Sequence, residues 1–181
     1  MILKELYKKE IVPKMKEHFG YKNILEVPNI QKVTVNVGLG PFLKETKYID
    51  EIIDTLKKIT GQAPVKTMAR KAIAGFSIRK NQVIGLKVTL RGENMYEFLN
   101  KLINAVFPRV RDFRGLSTKS FDGSGNYSVG FKEHTVFLEV GSSDLERVHG
   151  LEVCITTNTK KDEEVKKLLE LYGFPFKKKN N

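Results

Sequence analysis

Two runs of the chain alternate apolar and polar residues with a period of two, a rhythm that fits a strand with one buried face. In the first, from Gln31, Val33, Val35 and Val37 face one way while Lys32, Thr34 and Asn36 face the other. In the second, Val83 to Arg91, the apolar side is Ile84, Leu86, Val88 and Leu90, and the polar side is Gly85, Lys87, Thr89 and Arg91. A slip of one residue would turn either apolar set outward, so each strand's facing is strongly specified. Lys32, Thr34, Asn36, Lys87, Thr89 and Arg91 then form a polar, cationic sheet surface of the kind that binds nucleic acid.

Other segments carry helical spacing. Leu3, Tyr7, Ile11, Met15 and Phe19 recur every four residues, which puts an apolar stripe on one helical face. Pro13 interrupts it, so this helix either kinks or gives way to a second one with Pro13 in its first turn. Ile49 to Ile59 predicts a helix closed by Gly61, Met95 to Val106 one stopped by Pro108, and Val165 to Tyr172 a short one ending at Gly173. Gly115 to Gly130 reads as a long loop, and Thr135 to Val140 and Leu151 to Thr157 as two further strands. Strands and helices interleave, yet at least one strand pair has no helix between its members. That pattern predicts an α+β fold: an antiparallel or mixed sheet, helices packed on one face, and an exposed basic face of the kind that binds nucleic acid. Without repeats or an evident linker, residues 1–181 are expected to form a single domain, with a helical segment at 1–20 and a basic tail at 177–181.

Charge sharpens the expectation about partners. The chain has 181 residues, 32 of them Lys or Arg against 21 Asp or Glu, a net charge of +11. Its 40% hydrophobic content excludes a disordered chain. Between Thr55 and Gly92 lie nine cations (Lys57, Lys58, Lys66, Arg70, Lys71, Arg79, Lys80, Lys87, Arg91) and no acid. Lys177, Lys178 and Lys179 add three more, and the rest of the chain is nearly neutral. A local field of one sign attracts a polyanion and costs self-repulsion when none is bound. One cysteine excludes an intramolecular disulfide and fits the cytoplasm. No run approaches the roughly 18 apolar residues of a membrane span, and the charged start of the chain does not read as a signal peptide.

Catalytic and metal chemistry find little support. Gly38-Leu39-Gly40 resembles the opening of a dinucleotide fingerprint, but Leu43 stands where a third glycine or alanine is required. His18, His134 and His149 are far apart in sequence, and Cys154 has no second cysteine near it, so no metal signature or activated nucleophile emerges. Glu93, Asp112 and Asp122 sit where helix starts and turns use acids for capping. No cofactor is expected. The basic cluster is the stronger signal: Arg70-Lys71 and Arg79-Lys80 flank a small-residue stretch containing Phe76, which is either a stacking or wedge residue for bases or ordinary core. Arg109, Arg111, Arg114 and Lys119 form a second cationic group that could extend the footprint.

The segments Val27 to Gly38, Thr60 to Pro64, Ala69 to Arg79, Gly85 to Gly92, Pro108 to Leu116 (with its Arg-Asp-Phe-Arg-Gly), Ser120 to Ser128 and Phe174 to Phe176 resemble, in order, the bacterial large-subunit ribosomal protein L five family. The resemblance implies a non-enzymatic protein that binds 5S ribosomal RNA and anchors it in the central protuberance. It also implies contacts with 23S rRNA, P-site tRNA, neighbouring 5S-binding ribosomal proteins and, across an intersubunit bridge in the region after Pro108, a small-subunit head protein. Matched position by position, Asn36, Gln62, Phe76, Arg79 and Thr89 correspond to residues associated with 5S rRNA, and Ala72 to Lys80 to the loop that approaches tRNA. Pro13 and the tail from Lys177 to Asn181 depart from the pattern. The rival readings are an RNA-modifying enzyme and a scaffold whose basic face meets an acidic protein.

Overall fold

The computed structural model of the chain describes residues 3–43, 45–141 and 148–177, with Thr46 described by its backbone alone. Its sheet is five-stranded, built from β1 (Ile30–Gly38), β2 (Val65–Met68), β3 (Val83–Leu90), β4 (Asn126–Phe131) and β5 (Leu151–Thr157). The strand order is β2-β3-β1-β5-β4. With its helices, this is an α+β architecture with an antiparallel sheet. The chain divides into two compact units, one of Met1–Val33, Arg91–Val129 and Cys154–Asn181, the other of Thr34–Leu90 and Gly130–Val153.

In the second unit the alternation read from sequence governs the packing. Val35 and Val37 on β1 and Leu86, Val88 and Leu90 on β3 are buried, whereas Thr34, Asn36 and Thr89 are half-buried and Lys87 is exposed. Each buried aliphatic side chain favours the fold by about 1.5–3 kcal/mol over its exposed state, so these positions hold the strands' facing. The helix α3 (Thr46–Thr60) supplies Ile52, Leu56 and Ile59 to this core. It ends where the sequence indicates, at Gly61 with φ +69. β2 pairs antiparallel with β3, setting Val65 opposite Lys87, Lys66 opposite Leu86 and Thr67 opposite Gly85, with a register shift between Thr67 and Met68.

The first unit contains the remaining long helical segments. α1 (Leu3–Leu6) continues through a π turn, Tyr7–Ile11, into α2 (Val12–Phe19). α4 (Gly92–Lys101) continues through a second π turn, Leu102–Val106, into α5 (Phe107–Arg109). A proline follows each wide turn closely: Pro13 and Pro108. Within an α-helix proline leaves the fourth preceding carbonyl unbonded and its ring strikes that turn. A π turn, closed here by Val12 N–H to Tyr7 O and Phe107 N–H to Leu102 O, widens the spiral where that conflict falls. Pro13 is therefore absorbed within a helical run, and Pro108 does not stop its helix, which extends to Arg109.

Two further expectations are overturned. Residues 135–140 do not form a strand; His134–Val136 is a 3-10 turn. The turn bonds Phe137 N–H to His134 O, 3.1 Å, and Val140 N–H to Phe137 O, 3.4 Å, keep this stretch from extending. Conversely, the segment read as one long loop from Gly115 to Gly130 contains most of β4. Tyr127 and Phe131 are buried on it, and the Tyr127 hydroxyl donates to Ser117 O at 3.0 Å.

The turn before β4 is organised by two carboxylates. Asp122 accepts from Ser124 N–H, Asn126 N–H and the Asn126 side-chain amide at 2.8, 3.0 and 2.7 Å. The Asn126 amide foremost holds the Asp122 carboxyl below its ordinary range. Asp162, in the first turn of α6 (Asp162–Tyr172), accepts from Gly123 N–H and Gly125 N–H at 3.0 and 2.9 Å.

The β2–β3 junction generates a test. A Cβ added at Gly85 would lie 2.8 Å from Thr67 Oγ1 and 3.1 Å from Val37 O. The hydroxyl can turn aside but the backbone carbonyl cannot. Gly85→Ala is expected to cost about 1–3 kcal/mol of unfolding free energy in urea titrations, and adding Thr67→Ala to restore only part of it.

Candidate nucleic-acid interface

Side chains directly opposite one another on paired strands share a face. The register therefore places Val65 and Thr67 with Lys87 and Gly85, on the face opposite buried Leu86. β1 contributes Thr34 and Asn36 by the same alternation, and Thr89 follows Lys87 on β3. None of these points into the packed interior, so hydroxyl, amide and ammonium groups remain available to a ligand. Lys66 lies elsewhere: opposite Leu86, it belongs to the other side of the sheet and is exposed because β2 is an edge strand.

The segment joining β2 to β3 is an ordered hairpin. Ala69 N–H donates to Gln82 O at 2.8 Å and Asn81 N–H to Ala69 O at 2.9 Å. Farther out, Ile73 and Ile78 exchange both backbone bonds, at 2.9 and 3.1 Å. The loop they close turns through a 3-10 segment, Ala74–Phe76, and Ser77 at φ 54. The Gln82 side-chain carbonyl accepts Arg79 N–H at 2.9 Å, fixing the return arm. Arg70 and Lys71 occupy one arm and Arg79 and Lys80 the other, and all four are exposed. At the tip Phe76 is 72% exposed, so it is not core. Gln62 is exposed just after α3, where Thr60 Oγ1 donates to its backbone carbonyl at 3.0 Å.

Among the described residues, Arg70, Lys71, Arg79, Lys80 and Lys87 enter no ion pair. The pairs Lys4–Glu93, Lys14–Glu10, Lys161–Glu164 and Lys166–Glu170 lie in the first unit. Lys32 and Arg91 also fall there, each next in alternation along its own chain segment; Arg91 is exposed.

Sequence reasoning missed the exposed apolar residues that accompany Phe76. Val65 is 64% exposed, Met68 58% and Ile73 48%. The available signal was apolar residues scattered through an acid-free stretch with neither strand nor helix period. Together with the cations they make a surface suited to riboses and bases as well as phosphates.

The residues raised for other chemistry have structural surroundings. His134 and His149 come together in the second unit, rings stacked at 3.9 Å, both buried, with His149 N–H donating to His134 Nδ1 at 3.3 Å. Cys154 is half-buried on β5 and accepts from Ser128 Oγ at 3.4 Å. Among the described residues no group of three His, Cys, Asp or Glu could hold a metal, and no helix is long and apolar enough to cross a membrane.

Comparison with known proteins assigns the class. A family model described as ribosomal protein L5 matches residues 23–79, and a second, describing the C-terminus of the same ribosomal family, matches 83–176. The large ribosomal subunit protein uL5 of Halothermothrix orenii is 53% identical, the alignment covering 97% of this chain and 98% of that protein. Those of Carboxydothermus hydrogenoformans and Neisseria meningitidis serogroup A are 51% and 50% identical, covering 96% and 97% of this chain and 97% and 98% of theirs. These are non-enzymatic structural constituents of the large ribosomal subunit, working in the cytoplasm among ribosomal RNA and other ribosomal proteins. The chain belongs to the ribosomal protein L5 family.

Because Phe76 packs against little of its own protein, Phe76→Ala is expected to change unfolding free energy by no more than about 0.5 kcal/mol. A buried phenylalanine would cost about 3–5 kcal/mol. Chemical denaturation separates the two.

Proposed function

We propose that this chain binds 5S rRNA through the outward face of β1 and β3 together with the β2–β3 hairpin, and anchors it in the central protuberance of the large subunit. The observation that carries this reading is the row Thr34, Asn36, Lys87 and Thr89: short hydrogen-bonding groups and a cation turned away from the core, beside a hairpin whose four cations have no acid in their stretch of chain. Asn36 and Thr89 supply fit by hydrogen bonding to ribose hydroxyls or base edges. Lys32, Lys87, Arg91, Arg70, Lys71, Arg79 and Lys80 supply phosphate contacts, and Lys66 contributes only to the general field. Gln62 and Phe76 extend the specific contacts, Phe76 by stacking or as a wedge.

Further contacts follow from the same reading. The Ala72–Lys80 tip reaches P-site tRNA, and the general cationic field supports 23S rRNA and the neighbouring 5S-binding proteins. A bridge to a small-subunit head protein needs an apolar anchor. After Pro108, the large apolar residues exposed among those described are Leu138 and Val148. The scaffold reading, a basic face meeting an acidic protein, accounts for the charge but not for the uncharged amide and hydroxyl row.

Quantitative binding to purified 5S rRNA tests the division of labour. Asn36→Ala and Thr89→Ala should each weaken binding more than Lys57→Ala, and equal losses would contradict the assignment. With about five phosphates engaged, log affinity should fall against log salt with a slope of roughly −3 to −5; a flat dependence would remove the electrostatic part.

A further inference from the structure

We infer that the loop from Arg109 to Lys119, with Lys177 beside it, is a second RNA site that takes the sugar–phosphate backbone of a folded RNA by charge alone. The inference rests on the reading above that this protein works bound to ribosomal RNA, and it assigns a separate set of residues to a separate contact. Arg109, Arg111, Arg114, Lys119 and Lys177 are all exposed, and Asp112 is the one acid within the loop. None of the five forms an ion pair among the described residues.

What distinguishes this loop from an ordinary solvated charge run is how firmly it is held. Leu116 N–H donates to Pro175 O at 2.7 Å, and Lys177 N–H to Leu116 O at 3.0 Å, so the loop and the segment after α6 are stitched side by side. Gly115, at φ +89, permits the approach: a Cβ there would lie 3.0 Å from Lys177 N and 3.1 Å from Lys177 Cα. Beneath the stitch, Phe113 stacks on Phe107 at 5.8 Å and Phe174 meets Phe107 edge-on at 5.6 Å. Phe176 contacts both Phe121 and Tyr127, at 5.9 and 5.4 Å. Apolar side chains are thus turned inward and cations outward on a backbone with little freedom left to lose on binding.

The same arrangement selects the occupant. A protein partner needs apolar anchors at the centre of its interface. Between residues 107 and 121 no large apolar side chain is among the exposed ones, whereas the β2–β3 hairpin displays Val65, Met68, Ile73 and Phe76. Three of the five cations are arginines, whose planar fork matches phosphate oxygens in pairs. With Thr118 the one exposed uncharged polar side chain from Arg109 to Lys119, a surface made mainly of charge suits a phosphate backbone and discriminates little between sequences.

The test measures full-length protein against a labelled RNA duplex of about 20 base pairs, unrelated to 5S rRNA and long enough to span several phosphates, and separately against 5S rRNA. The Arg109→Gln, Arg111→Gln, Arg114→Gln triple variant should bind the duplex at least about fivefold more weakly at low salt, with a salt slope shallower by about 2 to 3. Its 5S rRNA affinity should stay within about twofold of wild type, since phosphate contacts elsewhere carry that complex. A Lys119→Gln, Lys177→Gln variant, altered only at surface side chains, should weaken duplex binding in the same direction and guards against a folding defect in the triple variant. Unchanged duplex affinity and slope in both variants would overturn the inference, as would equal losses for duplex and 5S rRNA. Displacement of the duplex from this loop by poly-glutamate at equal charge would assign it to an acidic protein instead. Absence of any wild-type preference for 5S rRNA, with the duplex loss intact, would sink the proposed function and leave this site standing.

Discussion

Burial of alternate side chains on β1 and β3 is the constraint on which the interface depends. Val35 and Val37, with Leu86, Val88 and Leu90, cannot be turned outward without exposing the centre of the second unit's core. With that set fixed, the side chains between them are committed to the other face. Thr34, Asn36, Lys87 and Thr89 are therefore positioned by residues that need never touch a ligand. A functional surface on strands is more sharply placed than one on loops, and the edge strand β2 widens it with Val65 and Thr67.

Electrostatics sets the cost of that arrangement. Nine cations and no acid between Thr55 and Gly92 repel one another in the free protein. A polyanion relieves the repulsion and gains attraction at once, which favours rapid association and strong salt dependence. Charge alone selects no particular RNA. In the proposed function, selection falls to the uncharged groups and to Phe76 at the end of a hairpin held by the backbone bonds of Ala69, Ile73, Ile78 and Asn81. In the proposed reading the Arg109–Lys119 loop, whose one exposed uncharged polar side chain is Thr118, offers mainly charge, and fit falls to the face of β1 and β3.

The legible parts of this fold were those where one physical signal dominated. β1, β3 and β5 alternate cleanly, and α3 and α6 carry long apolar stripes and end at glycines, so each was readable from the sequence. β2 was not, because its four residues include a lysine on the side of buried Leu86 and too few positions to show a period. β4 was masked by serine and glycine around Tyr127 and Phe131; its order comes from Asp122 and Asp162, whose bonds gather the preceding turn. Residues 135–140 have strand-like composition, but their turn bonds decide otherwise. Alternation put Asn36 and Thr89 between the buried residues of β1 and β3, and the structure has both half-buried there, whereas placing Lys66 needed the cross-strand register and Phe76 the hairpin's geometry. The final residues of the predicted basic tail, 178–181, lie outside the described residues.

The most direct measurement is an amide NMR titration of the protein with 5S rRNA, read residue by residue. The account predicts the largest perturbations at Thr34, Asn36, Lys87, Thr89 and the Ala74–Ser77 tip, with α3's solvent-facing residues little changed. Perturbations concentrated on α3 or on the acidic first turn of α6, with the β1 and β3 face unmoved, would contradict it.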